Sequence, residues 1–440
     1  MPLFTPELEF SDDYPTIEPS LKLDFANARA LDPRITFTRA STATYVGRDG
    51  LIKYAGDDEA RFDHDPATGE SLGLLIEESR TNILKGTSNF TSGYWTIGGT
   101  RSTQGSNQLA PDGTLSAFSN AYNGTSGDAN IYYSDAGNNA GGEAPTANST
   151  VYTLSVFAKV PSGNNYIQGI YVRTFNPNNS AIFNLKTGTI IGTNEGTTTN
   201  RMEAYPNGWY RCSITFTSGT DGNQGVQFYL TNSSNGTALN DPSANGEALY
   251  YWAPQLEAGS FPTSYVPTSG AAAARAADNA SITGESFSNF YNSTEGTFFA
   301  EADTINPRYN DAITDYDGGN NNYSIMGTGD SPNRFQLRFD DQEPFQSLTF
   351  GPNSTTALAV NVNLTPTLDV KIAGTIKQND ARAYAKGVSI LTDTSIDLIN
   401  PVALYIGNLS GSSEYLNGHI KKLSYYPKAL PNTQLQTLTQ

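Results

Sequence analysis

In Val151-Tyr152-Thr153-Leu154-Ser155-Val156-Phe157-Ala158-Lys159-Val160, the residues Tyr152, Leu154, Val156, Ala158 and Val160 fall on one face, and Thr153, Ser155 and Lys159 on the other. A period of two is that of a strand whose alternate side chains point to opposite sides of a sheet. Trp209–Thr217 repeats the pattern with Tyr210, Cys212, Ile214 and Phe216 inward, and Val226, Phe228 and Leu230 continue it ahead of Leu249–Leu256. Asn/Gly/Ser-rich turns such as Asn120–Ser126 and Thr231–Gly236 separate these runs. Together they predict an antiparallel β-sandwich (jelly roll) over 86–268, with polar outer faces turned to solvent.

Working outward, 281–440 reads the same way. Phe335, Leu337 and Phe339 alternate with Gln336, Arg338 and Asp340, and Leu368, Val370 and Ile372 with Asp369 and Lys371. Val402, Leu404 and Ile406 follow, and the chain closes on a strand, His419–Tyr426, and one helical turn pinned by Leu435 and Leu438. Gly270–Ala277 lies in an Ala-rich linker, 269–280, too short to stand as a helix alone. Toward the start, Leu21–Phe25 and Ile35–Arg39 alternate like strands within a β-rich region, 21–85. Residues 1–20 hold Pro2, Pro6, Pro15 and Pro19 and read as an extended arm that only a partner surface would order. The expected class is all-β: arm, attachment region, then two antiparallel sandwiches.

Composition narrows the function. The 440 residues suggest roughly three domains. With 26 Lys+Arg against 43 Asp+Glu, the formal charge of -17 excludes a broadly basic groove for nucleic acid and disfavours an anionic membrane surface. Charged residues are only 16%, so the surface rests on Asn, Ser, Thr and on 41 Gly and 23 Pro in turns. No run of 18 apolar residues suggests membrane insertion. Met1–Glu7 has neither the basic nor the apolar region of a secretory signal. The lone Cys212 leaves no internal disulfide and no Cys-based zinc site. This fits a chain made in a cytoplasm and released by lysis.

Two long segments resemble a family of bacteriophage virion proteins: tail-fibre, tailspike and head-fibre proteins. The first is Asp32–Tyr45 (DPRITFTRASTATY) continuing to Arg61–Asn82 (RFDHDPATGESLGLLIEESRTN), and the second is Gln255–Thr268 (QLEAGSFPTSYVPT), which closes a carbohydrate-binding-module-like jelly roll. Leu416-Asn417-Gly418-His419-Ile420 with Leu423, Tyr425, Ala429-Leu430-Pro431 and Leu435 resembles a concanavalin A-like (laminin-G-like) sandwich. The resemblance implies a homotrimeric protein on the outer surface of the virion, tail or capsid, made in the host cytoplasm. The Pro-rich arm, with 8 of the 26 Lys+Arg in the first 80 residues, suggests that residues 1–85 hold other virion proteins while the later domains project. The two readings of its role are an adhesin that binds host-surface glycan without cleavage and a capsid decoration or tail adaptor with a purely structural role. A depolymerase spike would show the short repeats of a parallel β-helix, which are absent.

The chemistry-bearing residues favour binding over catalysis. His64, between Asp63 and Asp65, reads as part of a structural turn, and His419 as a residue at the edge of a core. Two distant histidines and one cysteine make a nucleophilic triad improbable. Concanavalin A-like glucanases carry Glu-x-Asp-x-x-Glu; here Glu301 and Asp303 are followed by Asn306, so the third acid is missing. No catalytic residue is therefore assigned. Trp95 and Tyr94, with Tyr132 and Tyr133, are the candidate sugar-stacking rings, whereas Trp209 and Trp252 read as core. Asp315, Asp317, Asn320 and Asn322 supply oxygens for a calcium ion. Glu77, Glu78 and Arg80 suggest a salt-bridged junction. The acidic surface points to neutral polyols, with anionic polysaccharides accepted only through calcium, and a trimer would raise weak single-site affinity by effective concentration.

Overall fold

The computed structural model describes the chain apart from residues 1–16, 89, 91–92, 99–101, 126, 135–142, 233–237, 240–241, 306–321, 330–333, 341–344, 352–356 and 361–369. The protein is all-β, with antiparallel strand pairs throughout. Two compact units share the chain, against the roughly three domains suggested by length. One comprises 39–71 and 79–277, the other the described residues of 1–38 with 72–78 and 278–440.

The first unit is a sandwich of a six-strand and a seven-strand sheet. One runs Thr197–Tyr205, Trp209–Thr217, Val151–Lys159, Ala248–Ala258, Ala117–Tyr122, Ser102–Gln108. The other runs Thr189–Glu195, Asn179–Asn184, Gly169–Phe175, Asn223–Thr231, Asn130–Tyr133, Trp95–Gly98, with Ala144–Pro145 added beside Asn223–Thr231. Their facing sides form one core: Leu154, Val156, Ile214 and Phe216 from the first sheet meet Ile170, Val172, Phe183 and Phe228 from the second, all fully buried. Leu154, Val156, Ile214, Phe216 and Phe228 are alternating residues that the sequence places inward, whereas Ile170, Val172 and Phe183 lie on strands that the alternation does not single out. Trp209 and Trp252 are buried as expected.

The polar side of the first sheet is not solvated, which corrects the expectation of a wet outer face. Thr153, Ser155, Ser213 and Thr215 are buried there. The segments 39–71 and 259–277 supply the cover. Ile52 and Tyr265 pack with Phe157, Trp209 and Trp252, and Thr153 donates from Oγ1 to the Gly259 carbonyl (2.8 Å). Thr215 donates to the Ser260 carbonyl (3.2 Å), and Arg211 lies over the Phe157 ring while donating from Nη2 to Ser155 Oγ (3.0 Å). Buried hydroxyls cost little when they find such partners, so short polar residues are compatible with a third layer.

The second unit also has two sheets. One runs Val388–Asp393, Asp380–Ala385, Val370–Lys377, Glu295–Ala302, Gly418–Tyr426. The free side of Gly418–Tyr426 is shared: Leu21–Asp24 pairs with it from Leu21↔Tyr425 to Asp24↔Lys422, and Leu74–Ile76 pairs with Ile420 to Gly418. The other sheet runs Thr36–Thr38, Asn279–Thr283, Ala403–Ile406, Asn322–Thr328, Arg334–Asp340, Phe345–Gly351, Ala357–Val360. Phe298 and Phe335, one from each sheet, have ring centroids 5.2 Å apart. The helix Asn432–Thr439 is longer than the single turn expected, and buries Leu435 against Phe299, Ala373 and Tyr426.

Two boundaries therefore change. Residues 21–85 do not make a separate attachment region, because their short strands complete the two units: 21–24 and 74–76 join the last strand, and 36–38 joins Asn279–Thr283. The Ala-rich stretch is not a free linker either; Ala273–Arg275 pairs with Arg80–Asn82. A three-residue strand has no local periodicity long enough to reveal a partner hundreds of residues away.

One surface pair in the second unit gives a pH dependence. Lys428 Nζ donates to Glu295 Oε1 at 2.6 Å. That bond, opposed by partial burial and aided by the Ala429 N–H, holds the Glu295 carboxyl below its ordinary 4.5. A depressed folded pKa means that the contribution is present above the unfolded value and is lost as pH falls through the folded one. Lys428→Met is expected to cost under about 1 kcal/mol at neutral pH, because solvent screens the half-exposed lysine. Urea unfolding curves should show this difference vanish near the acid limit.

Candidate ligand-binding sheet face

The second sheet of the first unit turns one side to the core and the other outward. Along Gly169–Phe175, Ile170 and Val172 point inward, so Tyr171, Arg173 and Phe175 point outward. Along Asn223–Thr231, Val226, Phe228 and Leu230 are core, leaving Gly225, Gln227 and Tyr229 outward. In Asn130–Tyr133, Ile131 and Tyr133 are core and Tyr132 is outward.

Strand register sorts these outward residues into cross-strand rows. Ile182, Tyr171 and Tyr229 stand in one row and pack together as a buried cluster, the two tyrosine rings 5.4 Å apart. In the next row Ser180, Arg173, Gln227 and Tyr132 stand side by side, and Arg173, Gln227 and Tyr132 are half-buried. Phe175, also half-buried, lies beyond Arg173 opposite Gly225. Its ring occupies the place of the missing side chain: a Cβ on residue 225 would fall 1.9 Å from Phe175 Cζ. Gly225 thus lets the Phe175 ring lie down on the sheet.

The polar atoms of this face are partly engaged, with Gln227 Oε1 accepting from Tyr229 Oη. Arg173 Nη2 donates to Asn178 Oδ1 (3.1 Å), while among the described residues no partner meets Arg173 Nε, Ser180 Oγ or Asn130 Oδ1. A row of amide, guanidinium and phenol with a flat ring beside it can hold a ligand that presents both hydroxyls and an apolar ring face.

Of the four rings read from the sequence, Tyr132 belongs to this row. Trp95 and Tyr133 do not serve as stacking rings: both are buried in the sandwich core, 5.3 Å apart, with Trp95 also stacked on Phe228. Their polar ends are spent on the backbone of Lys85, whose carbonyl accepts from Trp95 Nε1 (3.2 Å) and whose N–H donates to Tyr133 Oη (3.2 Å). Tyr94 donates to the Gly270 carbonyl (3.1 Å) and has Lys85 Nζ 5.8 Å from its ring centre. Arg173, Phe175, Gln227 and Gly225 were missed, although the complement of the inward triplet Val226, Phe228, Leu230 already marks Gln227 as outward.

The calcium candidates Asp315, Asp317 and Asn320 lie outside the described residues, and Asn322 opens the strand Asn322–Thr328. Among the described residues no three metal-ligating side chains converge. No helix there is long and apolar enough to cross a membrane.

The remaining titratable residues have structural partners. His64 Nδ1 lies 3.1 Å from the Val46 carbonyl, Asp63 accepts from the Val46 N–H, and Asp65 Oδ1 caps the turn through Ala67 and Thr68. In the second unit Asp303 Oδ1 accepts from the His419 N–H (2.7 Å) and lies 2.8 Å from His419 Nδ1. Glu301 faces Lys422 at 3.9 Å. At the expected junction the Glu77 N–H donates to Asp278, the Glu78 N–H to Asn417, and Arg80 lies over the Phe261 ring.

Arg61 and Asn82, from the first motif, meet the second motif, 255–268, in a buried polar knot of the first unit. Glu257 accepts from Thr263 N–H (2.9 Å), Thr263 Oγ1 (2.6 Å) and Gln255 Nε2 (2.6 Å). Asn82 Nδ2 donates to the Val266 carbonyl (3.0 Å), Gln255 Oε1 accepts from the Val266 N–H (2.7 Å), and Arg275 Nη1 donates to Thr263 Oγ1 (3.1 Å). Arg61 Nη1 reaches Ser264 Oγ (2.8 Å). The long contiguous motifs therefore encode an internal scaffold at these positions, not a site open to ligand.

No family model and no curated protein matches the chain. Among solved structures it is similar to the CBM40 module of a Ruminococcus gnavus IT-sialidase, at 14% identity and TM-score 0.29 over 35% of this chain and 88% of that one. It is similar also to domain 4 of AbnA, a GH43 extracellular arabinanase from Geobacillus stearothermophilus, solved in complex with arabinotriose: 14% identity, TM-score 0.27, 41% and 82% of the two chains. A sialidase of Trypanosoma rangeli matches at 10% identity and TM-score 0.27 over 73% of this chain and 60% of its own. Likenesses at this level carry no argument about what the chain binds.

Proposed function

We propose that this chain is a glycan-binding surface protein that holds its ligand without cleaving it, and that it is displayed on a bacteriophage virion as part of a fibre or spike. The observation that carries the binding reading is the outward row Tyr132, Gln227 and Arg173 with the Phe175 ring laid beside it. It combines amide and guanidinium donors with ring surface, the pairing that a pyranose with its alternating hydroxyl and C–H faces requires. Support for non-cleavage comes from Glu301 and Asp303, which face Lys422 and His419, and from the residue at 306 being Asn.

The virion placement rests on the resemblance of 32–82 and 255–268 to fibre and spike proteins. Since 21–85 is built into the two units, the arm 1–20 is left as the segment to engage other virion proteins, and a homotrimer would multiply a weak single site. Capsid decoration or tail adaptation is the second reading; the Pro-rich arm favours it equally, since either role needs an anchor.

Purified full-length protein incubated with host envelope polysaccharide tests the reading. Retention on host cells is expected with no steady release of oligosaccharide, and Tyr132→Ala combined with Gln227→Ala should reduce retention at least tenfold. Steady release would show an enzyme, and no retention of protein or intact particle would leave the structural role.

A further inference from the structure

We infer that the outward row recognises an acidic sugar, a uronate-class pyranoside whose ring rests on Phe175 and whose carboxylate meets Arg173. The inference rests on the glycan-binding reading above and names the ligand class of that site. It runs against the neutral-polyol preference that the composition alone suggests.

The argument starts from charge. Acids outnumber bases in this chain by 43 to 26, so carboxylates are plentiful as partners for basic side chains. Arg34, Lys53, Arg382 and Lys428 each meet one within 2.9 Å. Arg173 does not: its one hydrogen bond among the described residues goes to the neutral Asn178. The described carboxylate beside this face, Glu143, accepts from Asn176 Nδ2 rather than from Arg173. A half-buried guanidinium that meets no carboxylate among the described residues has a fork geometry suited to one.

Geometry then selects a sugar acid over a free anion. Arg173 and Phe175 are two residues apart on one strand face, a separation of roughly 7 Å. That is about the reach from the centre of a stacked pyranose, through its C5 carboxylate, to a guanidinium carbon. Gly225 fixes the platform, because any side chain at 225 would displace the Phe175 ring. The overall charge of -17 does not forbid this, because at physiological ionic strength charges beyond about 8 Å are largely screened.

The test uses the full chain and two immobilised probes: polygalacturonate, and the same polymer with its carboxylates reduced to alcohols. Wild type is expected to bind the acidic polymer at least tenfold more tightly, with the difference shrinking as salt rises. Arg173→Gln should bring the two affinities together, Phe175→Ala should weaken both, and neither should move the thermal midpoint by more than a degree or two. Equal binding of wild type to both polymers overturns the acid-sugar assignment while leaving glycan binding intact. Binding to neither also overturns the assignment, and the envelope-polysaccharide experiment then decides separately whether the chain binds glycan at all. An Arg173→Gln protein that keeps the acid preference with an unchanged midpoint overturns the role of Arg173.

Discussion

Glu257→Ala is expected to lower the unfolding free energy of the first unit by on the order of 4 kcal/mol, one of the largest single effects in the chain. The carboxylate is fully buried and accepts three hydrogen bonds, from the Thr263 N–H, the Thr263 hydroxyl and Gln255 Nε2. Truncation strands those donors away from water, at about 1–3 kcal/mol each before relaxation. It also releases Thr263 Oγ1, which relays Arg275 to Glu257. Glu257→Gln keeps the shape but turns one acceptor into a donor facing other donors, so about half the loss should remain. Tryptophan fluorescence reads the transition cleanly, because all 3 Trp (Trp95, Trp209 and Trp252) lie in this unit. A midpoint in urea unchanged by Glu257→Ala would show that the knot is not what holds 255–268 on the sheet.

Gly418→Ala should be comparably damaging in the second unit, on the order of 4 kcal/mol, for a steric reason. A Cβ at 418 would come 2.2 Å from the Asp303 carbonyl oxygen and 2.6 Å from Thr304 Cα. Both are backbone, which cannot rotate away as a side-chain tip could. The strand would have to separate from 303–305, breaking the Asp303 N–H to His419 carbonyl bond and the Ile305 N–H to Asn417 carbonyl bond. Gly73→Ala meets the same strand from its other edge, with Cβ 2.3 Å from the Ile420 carbonyl oxygen and φ at +95°. Native-state hydrogen exchange should show the amides of 418–420 and 74–76 losing protection in either variant. Full protection retained in Gly418→Ala would refute the close-approach argument.

These glycines show what a motif does and does not disclose. Gly73 and Gly418 sit inside segments that stand out in the sequence, yet nothing local says why glycine is needed there. The reason is a backbone from elsewhere in the chain passing within touching distance, a fact of tertiary packing. Glu77 and Arg80 are similar: their charge suggests a junction but does not disclose the backbone bond from Glu77 to Asp278 or the ring contact of Arg80 with Phe261.

The sequence by itself determined the class of fold, because period-two alternation over nine or ten residues admits one geometry, and Val151–Val160 and Trp209–Thr217 carry it without help from any neighbour. It also determined the inward residues of 151–160, 209–217 and 226–230, and by complement Gln227 as outward. Only the tertiary structure decided that Trp95 and Tyr133 are core and Tyr132 is not, since those strands are too short for a phase to be read. It alone brought Arg173, Gln227 and Tyr132 into one row, because register between strands far apart in sequence is set by pairing and by the shared core. The tertiary structure also buried the polar side of the first sheet: whether a face of serines and threonines meets water or a covering layer depends on where residues 39–71 and 259–277 fold back, and alternation is the same in both cases.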